Sequence, residues 1–120
     1  MGMDALVDQI KRHPQYDKVG MILGHNGVVR GTSRDGRFVR GLRVKVDHQK
    51  LDDLIVRQKE QPGIVEILVQ INADLNLQVG DDVMYLVVAG DIRENVLATL
   101  TDTLNAIKST VTQKTEFFTE

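Results

Sequence analysis

Two hydrophobic periodicities interleave along this chain, one near two residues and one near 3.6. Ile64 to Ile71 alternates around Glu66 and Gln70 and reads as a strand. Phe38, Arg40, Leu42, Val44 and Val46 alternate with Val39, Gly41, Arg43 and Lys45, one face mostly apolar and the other mostly basic, which predicts a half-buried strand. From Asp82 or Val83 to Ala89 the run is continuously apolar, the signature of a central strand covered on both faces. Val19 to Leu23 is a shorter apolar strand that runs into a turn-like Gly24-His25-Asn26-Gly27 and then Val28-Val29-Arg30. Val111 to Phe118 alternates weakly and predicts a final edge strand.

Helical spacing occupies the intervals. Residues 4–12 place Leu6, Val7 and Ile10 on one face, with Asp4 as the N-cap and His13-Pro14 as the stop, because the residue before proline avoids the helical region. Residues 48–60 turn Leu51, Leu54 and Ile55 inward between an Asp47 cap and Pro62-Gly63. The longest helix opens at Gly90-Asp91, with Asp91 as cap, Glu94 close to a capping box, and a buried stripe of Ile92, Val96, Leu100, Leu104 and Ile107. Asp35-Gly36 is the strongest hairpin signal, and residues 72–81 read as a loop. The order predicts an α+β fold, a mostly antiparallel sheet covered by helices, in a single domain over residues 1–120.

Composition narrows the functional classes. With 120 residues, 42% of them hydrophobic, the chain can build a core unaided. It has no cysteine, which excludes a disulfide framework, a thiolate metal site and a cysteine nucleophile, and fits a reducing compartment. The first residues are acidic where a signal peptide would be basic, and no apolar run approaches the ~18 residues of a membrane span. A cytoplasmic protein without membrane association is expected. A pI near 5.9 argues against nucleic acid as a partner.

Against a net charge of −2, arginine concentrates in one stretch: Arg30, Arg34, Arg37, Arg40 and Arg43, opposed only by Asp35. Guanidinium forks match carboxylate and phosphate, so this stretch either meets an anion or forms a solvated or partner-facing surface. His13, His25 and His48 do not fall at metal-ligand spacing, and no glycine loop matches a nucleotide fingerprint. No metal and no cofactor are expected. Asp52-Asp53 and Asp81-Asp82 read as solvent-facing or turn-capping pairs rather than as cation ligands.

Four patterns, in this order, resemble the large subunit of molybdopterin synthase over residues 18–118: Gly27-Val-Val-Arg30 at a strand end; Leu77-Gln-Val-Gly80-Asp81-Asp82-Val83 leading into an apolar strand; Arg93 at the start of the long helix; and Ala106-Ile107-Lys108 followed by Lys114-Thr115-Glu116. The resemblance implies a homodimer whose active site can draw on both subunits. It implies transfer of sulfur from a ubiquitin-like small subunit with a Gly-Gly thiocarboxylate end to cyclic pyranopterin monophosphate, a pterin phosphate substrate, forming molybdopterin. It further implies Arg30 at the substrate pocket, Arg93 on the phosphate, and Lys108 and Lys114 as the active-site lysines, with Lys108 near the incoming tail. Such cations would steer both anionic partners, and a lysine crowded by other cations can serve as base or nucleophile.

The sequence departs from the family pattern in named places. Ile92 stands where the family has a histidine before the helix arginine, and Ile71-Asn72-Ala73-Asp74 replaces its central His-Arg segment. The interval from Lys108 to Lys114 is one residue shorter, with Thr112 and Gln113 in place of an aromatic and a proline. Two alternatives follow: a catalytically impaired relative that binds an anion or protein tail as a homodimer, and a structural dimer joined through Phe117, Phe118 and the last strand.

Overall fold

The computed structural model describes residues 2–119; Met1 and Glu120, the end residues of the expected domain, lie outside the described residues. From the N-terminus come α1 (Met3–Lys11), a 3-10 turn (Tyr16–Lys18), β1 (Met21–Val28), β2 (Val39–Val46), α2 (His48–Lys59) and β3 (Ile64–Ile71). They are followed by β4 (Leu77–Gln78), β5 (Asp82–Gly90), α3 (Arg93–Ala106), a π-helical turn (Ile107–Val111) and β6 (Thr112–Phe118). The strands form two antiparallel three-stranded sheets, ordered β1-β5-β3 and β4-β2-β6. The α+β class is as expected, with the antiparallel pairing divided between two sheets.

The continuously apolar run becomes the central strand because both of its faces are covered. Met84, Leu86 and Val88 of β5 pack with Leu54 of α2, Val96 of α3 and Ile107. Tyr85, Val87 and Ala89 pack with Leu6 and Ile10 of α1 on the other side. Leu86, Val87 and Val88 are fully buried, each worth roughly 1.5–3 kcal/mol of transfer free energy. A third cluster, Val29, Leu42, Val44 and Leu77, fills the second sheet and meets the first at Val46, Ile71 and Val83. The two sheets are thereby joined beside the N-terminal end of β5.

Several expectations are corrected. Gly24 to Gly27 is not a turn. It continues β1 in register with β5, from Met21 opposite Gly90 to Gly27 opposite Met84, with a bulge at Gly27/Val28. The glycines serve close packing there, since a Cβ on Gly24 would stand 2.9 Å from the Met3 sulfur. Gly2, not Asp4, is the N-cap of α1, and it makes no side-chain cap bond; Asp4 lies in the first turn, where its charge still suits the helix dipole. Ile92, not Asp91, is the N-cap of α3; Asp91 instead accepts from Ile92 N at 2.6 Å and from Asn95 Nδ2 at 2.9 Å. Ile92 is 52% exposed and leaves the buried stripe, while Thr99 and Thr103 join it. Thr103 belongs there because its hydroxyl accepts a 2.9 Å bond from buried Gln58 Nε2. A bulge between Val39 and Gly41 shifts the alternation of β2, so Val39 is buried while Phe38 is 70% exposed. The 72–81 loop contains the two-residue strand β4, paired with β2.

Other readings hold. α2 carries the Asp47 cap, whose carboxylate accepts from Lys50 N at 3.1 Å. β3 spans Ile64–Ile71 as expected, and β6 is an edge strand of its sheet. Asp35-Gly36 makes its turn, with Gly36 at φ +88°. Among the described residues no helix is long and apolar enough to cross a membrane.

Candidate functional site

Beside the junction of the two sheets lies an open cleft of about 570 Å³. Leu42 and Val44 of β2 and Val83 and Met84 of β5 supply apolar wall. Beyond the bulge, the end of β1 brings in Val28, Val29 and Arg30. β6 contributes Thr112, Lys114 and Glu116, alternate residues that share one face of the strand. Lys108 enters from the π-helical turn.

That turn has a local cause. Ile107 is fully buried and Val111 nearly so, which anchors both of its ends in the core. Side-chain hydroxyls add to the backbone bonding of the turn: Ile107 O accepts the Thr112 N–H and, at 3.2 Å, the Thr112 hydroxyl, and the Thr110 hydroxyl donates to Ala106 O at 2.7 Å. Single π turns inside helices recur at functional sites. Here the turn leads directly from Lys108 into β6 and Lys114.

Arg30, Arg34, Lys108 and Lys114 face the cleft with one carboxylate, Glu116, a formal excess of three positive charges in a chain whose net charge is −2. Among the described residues none of these four cations forms an ion pair. Arg30 Nε donates to Thr32 O at 2.8 Å, which fixes the guanidinium and leaves its terminal nitrogens for a ligand. Such an arrangement suits a phosphate or a carboxylate.

His25 lies next to this region, outside the cleft lining, and was missed by sequence reasoning, which asked of it only metal-ligand spacing. It lies on β1 opposite Leu86, and its Nε2 leans over Gly27, 3.4 Å from where a Cβ would stand, next to Met84 of the cleft wall. Burial, and then the Lys108 charge, hold its imidazole below the ordinary value.

The structure brings together Arg30, Lys108 and Lys114, three of the four expected site residues, and adds Arg34. Arg93 lies elsewhere. It starts α3, whose 14 residues span about 21 Å at ~1.5 Å per residue, so it stands a helix length away from Lys108. Its side chain is 77% exposed and pairs with Glu94 at 3.3 Å. Arg37 stacks on Phe118 at 3.6 Å, Arg40 lies 5.9 Å from the Phe117 ring, and Arg43 Nη1 donates to Asn76 at 3.1 Å. These three form a surface outside the cleft. Asn72, in the segment that lacks the family arginine, is structural: its Nδ2 donates to Asp82 O at 2.7 Å. Asp81 accepts from Gln78 N, and Asp82 from Tyr85 and Asn26, which holds the Asp82 carboxyl below its usual range.

No protein-family model and no curated protein matches the sequence. Solved structures do match. Molybdopterin synthase from Staphylococcus aureus aligns with a TM-score of 0.73 at 19% identity, over 87% of this chain and 78% of that one. Molybdopterin cofactor biosynthesis protein E from Burkholderia multivorans gives 0.77 at 17% identity, over 99% and 82%. This chain has the molybdopterin synthase large-subunit fold. A third match, at 14% identity and a TM-score of 0.71 over 100% of this chain and 85% of that one, is a complex of subunits 1 and 2 of molybdopterin-converting factor from Helicobacter pylori. At these identities the likeness is one of architecture.

Proposed function

We propose that this protein is a divergent large subunit of a molybdopterin synthase-like enzyme, acting in molybdenum cofactor biosynthesis by sulfur transfer. One observation carries the reading: Arg30 and the pair Lys108 and Lys114, far from it in sequence, converge on one cationic cleft. In this reading the cleft receives the thiocarboxylate tail of a ubiquitin-like small subunit together with a pterin phosphate. Arg30 binds substrate oxyanions, Lys108 faces the incoming tail, and Lys114 lies beside it as the second active-site lysine. The Helicobacter pylori complex supports a small-subunit partner of this kind. Arg93 stands at the far end of α3 from its own chain's cleft, and in this reading it serves the phosphate of a second protomer's site in a homodimer.

The test is product formation. Purified protein supplied with thiocarboxylated small subunit and cyclic pyranopterin monophosphate is expected to form the dithiolene, and Lys108→Ala and Lys114→Ala each to slow it by roughly 10²–10⁴-fold, the usual range for a lost acid–base group. No product, where a standard synthase makes it, contradicts the reading.

One observation favours a binding protein of the same fold. Ile92, exposed at the head of α3, has no proton to transfer where the family has histidine. A strong gain of activity in Ile92→His marks an impaired enzyme, and no change favours the binding protein.

A further inference from the structure

We propose that His25 is an additional residue of the anion site, taking a proton from solvent when an oxyanion enters the cleft and then holding that anion together with Lys108. The inference rests on the reading that the cleft binds an anion. Two structural facts carry it, and the electrostatics of the ring agree with them. His25 lies on the face of β1 that turns toward α3, and its Nε2 extends across Gly27 toward the Val28–Arg30 end that lines the cleft. Gly27 leaves this path open, since a Cβ there would already stand 3.3 Å from Met84 Cγ and 3.4 Å from the imidazole Nε2. Lys108 approaches from the π-helical turn and is the charged neighbour that His25 feels.

The groups around the imidazole define how it responds. From β5 it faces Met84 and Leu86, which do not titrate. α3, packed against β1, carries Arg93 and Glu94 at the far end and an exposed Asp102. Across the cleft stand Arg30, Arg34 and Lys114 with the single carboxylate of Glu116. Burial and the Lys108 ammonium therefore disfavour the His25 imidazolium as long as no anion is bound. An oxyanion between these cations offsets the Lys108 charge and makes the imidazolium favourable. One proton moves from solvent to the ring and no covalent bond is made or broken. Because binding then takes up a proton, affinity must rise as pH falls. The site thus gains a cation as the anion binds, which limits self-repulsion among its cations at other times.

The experiment follows the His25 ring resonances by NMR between pH 5 and 8, with sulfate and with N-acetyl-Gly-Gly at matched ionic strength. Neither probe titrates in that range, and the two distinguish a phosphate-like from a tail-like occupant. The expected result is an upward move of the His25 titration with whichever probe binds, affinity that increases toward pH 5 in the wild type, and a flat profile in His25→Phe and His25→Gln. Lys108→Met is expected to move the His25 titration up with no anion present. Binding with an unmoved His25 titration overturns this inference and leaves the anion site standing. Binding by neither probe overturns both.

Discussion

Ile107 holds the turn that delivers Lys108, and truncating it tests whether that turn is anchored as described. The side chain is fully buried among Leu86, Val96 and Val111. Ile107→Ala deletes three carbons, worth ~0.8 kcal/mol each in transfer, or about 2.4 kcal/mol. The space left behind cannot fully close between the sheet and α3, which brings the expected loss to about 3–4 kcal/mol. At ~2.1 cal/mol/K per residue, 120 residues give an unfolding entropy of about 0.25 kcal/mol/K, so Tm should fall by about 12–16 °C. Ile107→Val should cost only about 0.5–1.5 kcal/mol. Leu97→Ala, on the same stretch of chain but 47% exposed, should stay within about 0.5 kcal/mol and serves as the control. Urea unfolding followed by circular dichroism measures all three. An Ile107→Ala variant within about 1 kcal/mol of wild type, or no worse than Leu97→Ala, refutes the claim that this residue pins the turn.

Thr103→Val should cost about 1–3 kcal/mol in urea unfolding because it strands the buried Gln58 amide, and adding Gln58→Leu should recover much of the loss. His25 titrates below its ordinary value near 6.5 in the folded protein, so as pH falls through that value the unfolded chain binds the proton first. Stability contributed by neutral His25 is therefore complete above about pH 6.5 and declines on acidification, and His25→Phe should flatten that part of the stability profile measured by urea midpoints. Mixing Arg93→Ala with Lys108→Ala protein, under conditions that exchange subunits, should restore about a quarter of wild-type activity, since half of the dimers are then mixed and each holds one intact site. No recovery would mean that Arg93 does not serve a site across the dimer.

The pattern of apolar positions located the layers where a whole element obeys one rule. β3 was legible from Ile64 to Ile71 because alternation and the flanking Pro62-Gly63 agree, and β5 because a strand buried on both faces must be apolar throughout. What escaped depends on neighbours. Gly24 and Gly27 read as turn residues, and only the β5 ladder and the close approach of Met3 and His25 make them strand. The π-helical turn continues helical chemistry in sequence, and what distinguishes it is tertiary, the anchoring of Ile107 and Val111 at either end. Phe38 breaks the alternation because a bulge, invisible in the pattern, reverses the facing of β2.

The site was legible only through family resemblance. Nothing in local spacing joins Arg30 to Lys108 and Lys114; the link is made by β6 pairing with β2 beside the end of β1. Arg34 stayed open between anion contact and surface because its cleft position depends on the turn at Ser33–Gly36. His25 was overlooked because its significance is a charge, Lys108, that arrives from the other end of the chain.

Calorimetric titration with the C-terminal tail of a ubiquitin-like small subunit ending in Gly-Gly tests the central claim most directly. The account predicts saturable binding to the wild type that Arg30→Ala and Lys108→Ala each weaken about tenfold or more, the loss of one charge-assisted contact. Equal affinity in all three proteins, or no binding to any, would contradict it.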